Sequence, residues 1–66
     1  MKKIILELHA IDYALIHWEE NKVTPFIAAW APKTDPRLHW GLGHYVRTKR
    51  RAVEYLVEIY KERKRR

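Results

Sequence analysis

The hydrophobic periodicity of this chain changes once, near Thr48, and this change constrains the fold more than any other feature. Before Thr48, apolar residues alternate with polar ones or run in short segments, which is typical of β-strands. After it, they recur at the three- and four-residue spacing of an amphipathic helix: Ala52, Val53, Leu56, Val57 and Tyr60. The pattern predicts an α+β domain, in which an antiparallel sheet of three to four strands packs against one C-terminal helix.

Turn-forming residues divide the first part of the chain into four predicted strands. Their predicted bounds are residues 3–9, 12–19, 23–31 and 38–46, and the helix is predicted over residues 49–63. Thr48 is the predicted helix N-cap. Pro25 lacks a backbone N–H, so we expect it at the start of a strand or on an edge. Residues 32–36 contain two prolines and predict a loop.

The length of 66 residues allows one domain only, so residues 1–66 are predicted to fold as a single unit. Cys is absent, which excludes a disulfide framework and thiolate metal ligands. The histidines include no His-x-His pair, and we expect neither a metal nor another cofactor. Glu7 and Asp12 interrupt the apolar segment that begins at Ile4, so we expect no export signal, no membrane association and a cytoplasmic location.

Residues 12–31 predict a β-hairpin whose turn is Asn21-Lys22. In that arrangement Glu20 pairs with Val23, and the register follows outward from this pair. One face of the hairpin then carries Ala14, Ile16, Trp18, Pro25, Ile27, Ala29 and Ala31. The other face carries Tyr13, Leu15, His17, Phe26, Ala28 and Trp30. Both faces are apolar, although a single helix can cover only one of them.

The alanine-rich face of this hairpin suits the close approach of a helix. The aromatic face is then left exposed, which is typical of a surface that binds a protein partner or a second copy of the chain. The candidate partner-binding residues are Tyr13, Leu15, His17, Phe26 and Trp30. Two simpler alternatives are a register shifted by one residue and coverage of this face by the first strand or by the loop at residues 32–38.

The formal net charge of +6 arises entirely in the last twenty residues. Residues 1–46 carry five basic and five acidic side chains, whereas residues 47–66 carry nine basic and three acidic ones. The cations at residues 63–66 lie near the helix C-terminus and complement the helix dipole. Lys49, Arg50 and Arg51 crowd the first turn of the helix, where each opposes the dipole by roughly 0.3–1 kcal/mol at low salt. Together with Arg47 they place four cations at the helix start.

Cations around the backbone donors of a helix N-terminus suit an anion, most commonly a phosphate. Trp40, His44 and Tyr45 lie just upstream, where their rings could stack on a nucleotide or hydrogen-bond to it. The leading hypothesis is a small non-enzymatic protein that contacts nucleic-acid phosphates, and a solvated charged face is the simpler alternative. A third hypothesis is a small ribonuclease-like toxin that uses His44, Tyr45 and Arg47.

Two glycines interrupt the last predicted strand. Gly41 and Gly43 are two residues apart and therefore share a face of that strand. They leave a bare strip, which another backbone, a helix or a ligand can approach closely.

The sequence Trp40-Gly-Leu-Gly-His-Tyr-Val, followed by Thr48 and by residues 52–56, resembles a motif in small uncharacterised proteins of Gram-positive phages and mobile elements. In those proteins a strand of the form W-G-x-G-H-Y-F precedes a helix that contains A-x-x-x-L. The resemblance covers about residues 12–58 and implies no assigned activity. This chain departs from the motif at residues 49–51, where acidic residues are expected. A second functional hypothesis is a phage-type inhibitor or adaptor, of the anti-defence or anti-CRISPR kind, that docks its aromatic face on a host protein.

The order of strands followed by a helix, with Gly43-His-Tyr before Thr48, is also similar to AP2-type and integrase arm-binding domains. Those domains insert a sheet rich in Arg and Lys into the major groove of DNA. The predicted strands of this chain are neutral or acidic, so DNA contact would come from the helix start and the basic tail.

Overall fold

A computed structural model describes residues 2–30 and 40–64 of the chain. These residues form the predicted α+β fold, a four-stranded antiparallel sheet packed against one C-terminal helix. The strands are β1 (Lys2–Leu8), β2 (Tyr13–Trp18), β3 (Phe26–Trp30) and β4 (Gly43–Val46), and the helix α1 is Lys49–Lys64. Their order in the sheet is their order in the chain, which places β1 and β4 at the two edges.

The predicted bounds of two strands were too wide. Residues 23–25 belong to the hairpin loop rather than to β3, and residues 40–42 precede β4. The parts of the predicted strands at residues 31, 38 and 39 lie outside the described residues, as does the predicted loop at residues 32–36.

A β-bulge interrupts the alternation predicted for the first strand. Ile4 pairs with Ile16 and Leu6 pairs with Leu15, so Ile5 is an extra residue on β1. Because a bulge shifts the alternation by one residue, the apolar side chains of β1 are divided between the two faces of the sheet. Ile4 packs on one side and Leu8 on the other.

The β2–β3 register agrees with the register predicted from the sequence. Leu15 pairs with Ala28, and His17 pairs with Phe26. These pairs follow from the predicted pairing of residues 20 and 23 when one counts outward along the two strands. Within β2 and β3 the two faces of the hairpin therefore carry the predicted residues, whereas Pro25 lies in the loop and Ala31 lies outside the described residues.

The hairpin loop is longer than the predicted two-residue turn, because an asparagine side chain organises it. Oδ1 of Asn21 accepts hydrogen bonds from the amides of Val23 (3.3 Å) and Thr24 (3.0 Å), and its Nδ2 donates to Thr24 Oγ1 (3.1 Å). This side-chain turn competes with a tight backbone turn. Pro25 ends the loop just before β3, where its carbonyl accepts the Trp18 N–H at 2.7 Å and no proline N–H is needed.

The helix covers the sheet face for which the sequence predicts exposure, so that prediction was wrong. The buried residues on this side, which we call the helix-side core, are Ile11, Tyr13, Leu15, Ala28, Ala52 and Leu56. Ala28 of the sheet and Ala52 of the helix are both fully buried there. These two alanines let the helix approach the sheet closely. This close approach was expected on the alanine-rich face instead.

The opposite side of the sheet, which we call the helix-free face, carries a second and smaller core. Its fully buried residues are Ile16, Ile27 and Ala29. Three partly buried hydrophobic residues pack against them, namely Ile4, Trp18 and Trp40. Among the described residues, the alanine-rich face is therefore covered by the indole rings of Trp18 and Trp40 and by the side chain of Ile4.

Tryptophan rings fill the space above both glycines of the predicted bare strip. A Cβ atom added to Gly41 would lie 2.8 Å from Cε3 of Trp30, and one added to Gly43 would lie 2.8 Å from Nε1 of Trp40. Neither glycine has a positive φ, so the close approach of the rings is what requires glycine here.

Candidate nucleic-acid interface

The four cations predicted at the helix start are all exposed: Arg47, Lys49, Arg50 and Arg51. Thr48 caps the helix as predicted, since its Oγ1 accepts the Arg51 amide at 3.1 Å and its carbonyl accepts the Ala52 amide at 3.2 Å. The cap lets the chain pass from β4 into α1 within two residues, which gathers the cations at one edge of the sheet.

Two of these cations share one carboxylate. Glu54 Oε1 lies 3.3 Å from Nη1 of Arg51, and Glu54 Oε2 lies 3.7 Å from Nε of Arg50. The arginine side chains remain 91% (Arg50) and 67% (Arg51) exposed, so water screens both pairs and each is weak. Arg47 and Lys49 form no ion pair with any residue that the structure describes.

The aromatic residues upstream of the helix do not lie on one surface. Tyr45 pairs with Ile27 and lies on the helix-free face, whereas His44 pairs with Ala28 and lies beneath α1. The His44 ring stacks on Tyr55 of the helix, with centroids 4.1 Å apart and an interplanar angle of 22°. His44 therefore has a packing role and is not beside the ring of Tyr45.

The location of His44 and Tyr45 on opposite faces of the sheet argues against the ribonuclease hypothesis. His44 and Tyr45 are neighbours on β4, and neighbouring strand residues point to opposite faces. They do not converge with Arg47 on one reacting group, so the arrangement expected for that chemistry is not formed.

Trp40 and Tyr45 do lie together on the helix-free face. Nε1 of Trp40 donates a hydrogen bond to the Tyr45 hydroxyl at 3.2 Å, and the ring centroids are 6.2 Å apart. Lys2, which the sequence did not single out, joins them. Its Nζ lies 4.8 Å from the ring centroid of Trp18 and 5.1 Å from that of Trp40. Lys2 pairs with Trp18 across β1 and β2. Its position beside the indole rings could therefore be predicted only from the register of these two strands.

The five residues predicted to bind a protein partner do not form a free aromatic surface. Tyr13 and Leu15 are buried in the helix-side core. His17 stacks on Phe26 at 4.7 Å, and Phe26 packs against the same core. Trp30 keeps part of its ring exposed beside Gly41. The hypothesis of docking through this face has lost its structural basis.

The cations in the last turn of the helix contact aromatic rings. The Arg63 guanidinium lies 5.8 Å from the Tyr13 ring centroid, and the Lys64 ammonium lies 5.4 Å from that of Tyr60. These contacts and the helix dipole account for this part of the basic segment without a ligand. Residues 65 and 66 lie outside the described residues.

No group of three or more histidine or acidic side chains able to hold a metal ion is found in residues 2–30 and 40–64. Within the same ranges, no helix has both the length and the apolar character needed to cross a bilayer.

Comparison with protein-family models, curated proteins and solved structures found no match to this chain.

Proposed function

We propose that this protein binds nucleic acid by its phosphate groups, without catalysing a reaction. The residues that make the contacts are Arg47, Lys49, Arg50 and Arg51 at the start of α1. The observation that carries the proposal is that all four cations are exposed and that only Arg50 and Arg51 pair with a carboxylate among the described residues, both with Glu54.

The placement of the charges supports a ligand more than it supports stability. The first turn of α1 contains no acidic residue, although Asp or Glu there would stabilise the helix. A bound phosphate would reverse this unfavourable interaction, because it brings negative charge to the positive end of the helix dipole.

Backbone donors at the same place support the proposal. Thr48 satisfies the Arg51 amide, whereas the amides of Lys49 and Arg50 have no hydrogen-bond partner among the described residues. Amides and guanidinium groups are the donors that phosphate oxygens use, and arginine can bind them in a bidentate manner.

Phosphate contacts carry no base information, so the proposed binding is independent of sequence. It is also sensitive to salt, because each neutralised phosphate releases counterions. The logarithm of the binding constant falls with the logarithm of the salt concentration, by about 0.9 per contact on duplex DNA and about 0.7 on single strands.

The test is a titration of labelled DNA and RNA at low and moderate salt. The wild type is compared with a variant in which Arg47, Lys49, Arg50 and Arg51 are alanine. A matched control replaces four exposed lysines elsewhere, Lys3, Lys22, Lys61 and Lys64, and so removes the same charge. We expect the first variant to lose most of its binding and the control to retain most of it. Absence of wild-type binding at low salt, or equal binding by the wild type and the first variant, would refute the proposal.

A further inference from the structure

We infer that the nucleic acid is single-stranded and that its bases stack on the helix-free face at Tyr45, beside Trp40. This inference rests on the proposed function. It adds the class of nucleic acid and a second surface, which is distinct from the cations at the helix start.

Tyr45 is an exposed aromatic ring held in a fixed position. It lies on the edge strand β4 and is 46% exposed. The Trp40 indole N–H holds its hydroxyl at 3.2 Å, and the two rings are inclined by 54°. Stacking on a ring that is already ordered costs less conformational entropy than stacking on a free one. The exposed side of Tyr45 is therefore a prepared surface for a nucleobase.

Each ring of this aromatic surface has a nearby cation in the structure or in the sequence. Arg47 is exposed and follows Tyr45 by two residues in the chain, at the helix start. The Lys2 ammonium lies 5.1 Å from the Trp40 ring centroid. Alternation of aromatic rings with cations is typical of proteins that bind single strands, since the rings take bases and the cations take the backbone.

The composition of the sheet argues against a duplex ligand on this face. The strands β2, β3 and β4 contain no Lys or Arg, so the side-chain cations of the sheet are Lys2 and Lys3 of β1, which are too few to follow the phosphates along a groove. In a duplex, each base is also stacked between its neighbours and has no free face for Tyr45. A single strand can turn its bases outward onto an aromatic residue.

The test compares a single-stranded oligonucleotide of about 12 nucleotides, as DNA and as RNA, with a duplex of the same length. Full-length wild type is compared with Tyr45→Ala and Tyr45→Phe, and Leu42→Ala serves as a control at an exposed apolar neighbour. We expect Tyr45→Ala to weaken single-strand binding by about 5- to 140-fold, from about 1–3 kcal/mol per stacked base. Tyr45→Phe keeps the stacking ring but loses the hydrogen bond from Trp40, so its affinity should fall between those of Tyr45→Ala and the wild type. Leu42→Ala should stay close to the wild type. Duplex binding should be nearly unchanged in all three variants.

A second readout needs only the wild type. Stacking beside Trp40 should quench tryptophan emission when the oligonucleotide is added, whereas inorganic polyphosphate, which has the charges without the bases, should not. If single strands and duplexes bind equally and Tyr45→Ala changes neither, the inference is overturned while the proposed phosphate binding stands. If the wild type binds no nucleic acid at low salt, both are overturned. Equal quenching by polyphosphate also contradicts stacking at this face.

Discussion

The two cations at the helix start that form no ion pair with a described residue offer the cleanest test of the phosphate contacts. Arg47 and Lys49 are exposed and form no ion pair in the described part of the chain, so replacing both by alanine should leave the fold intact. Arg50 and Arg51 are kept, because their removal would leave Glu54 unpaired and confuse the result. The double variant lowers the formal net charge from +6 to +4.

The expected effect is a change in salt dependence. Four phosphate contacts on a single strand predict a slope of about 2.8, and hence a loss of about 50-fold in affinity between about 50 and 200 mM salt. Two contacts predict a slope of about 1.4 and a loss of about 7-fold over the same range. The assay is fluorescence anisotropy with a labelled oligonucleotide at several salt concentrations.

A charge-matched variant distinguishes local contacts from net charge. Lys3 and Lys22 are exposed residues of β1 and the hairpin loop, and replacing both by alanine also gives +4. This control should keep the wild-type slope, since it leaves the helix start intact. Equal slopes for the two double variants would refute the reasoning, because binding would then depend on total charge and not on the helix start.

Three further predictions concern the scaffold. Thr48→Ala removes the N-cap acceptor of the Arg51 amide and should cost about 1 kcal/mol, lowering Tm by about 4–8 °C in thermal unfolding, whereas Thr48→Ser should restore most of it. Gly43→Ala forces the Trp40 ring to move and should destabilise the fold by about 1–3 kcal/mol with altered tryptophan emission; an unchanged spectrum would contradict the packing. Leu15→Ala should cost about 2–5 kcal/mol in urea unfolding, and a cost below about 1 kcal/mol would show that α1 does not cover this face.

The elements of the fold follow from local signals in the sequence. The apolar spacing after residue 48 and the capping hydroxyl of Thr48 are sufficient for α1. The register of β2 and β3 agrees with the one counted outward from the predicted pairing of residues 20 and 23, even though Asn21 forms a different turn from the predicted one. These features depend on residues that are close in sequence or directly paired.

The side of the sheet that the helix covers could not be predicted in the same way. Both faces of the hairpin are apolar, so the choice depends on how volumes match in three dimensions. Trp40 folds back over Gly43 and occupies the face that the alanines left open. Trp40 and Gly43 are close in the sequence, but the packing of the indole against Ile16, Ile27 and Ala29 joins distant parts of the chain and follows from no local pattern.

The candidate site was partly predictable. The charge division along the chain identified the helix start, and Trp40 and Tyr45 do lie together. The separation of His44 from Tyr45 follows from strand alternation and could have been predicted from their adjacency. Lys2 could not, because its position over the indoles depends on the pairing of β1 with β2 and on the bulge within β1.

The most direct test of the central claim is an NMR titration of the full chain with a short single-stranded oligonucleotide at low salt, followed through the backbone amides. We predict the largest shifts at the amides of Lys49 and Arg50, with further shifts at Arg47 and their loss on addition of salt. Shifts confined to residues 61–64, or no shifts at the helix start, would contradict the account.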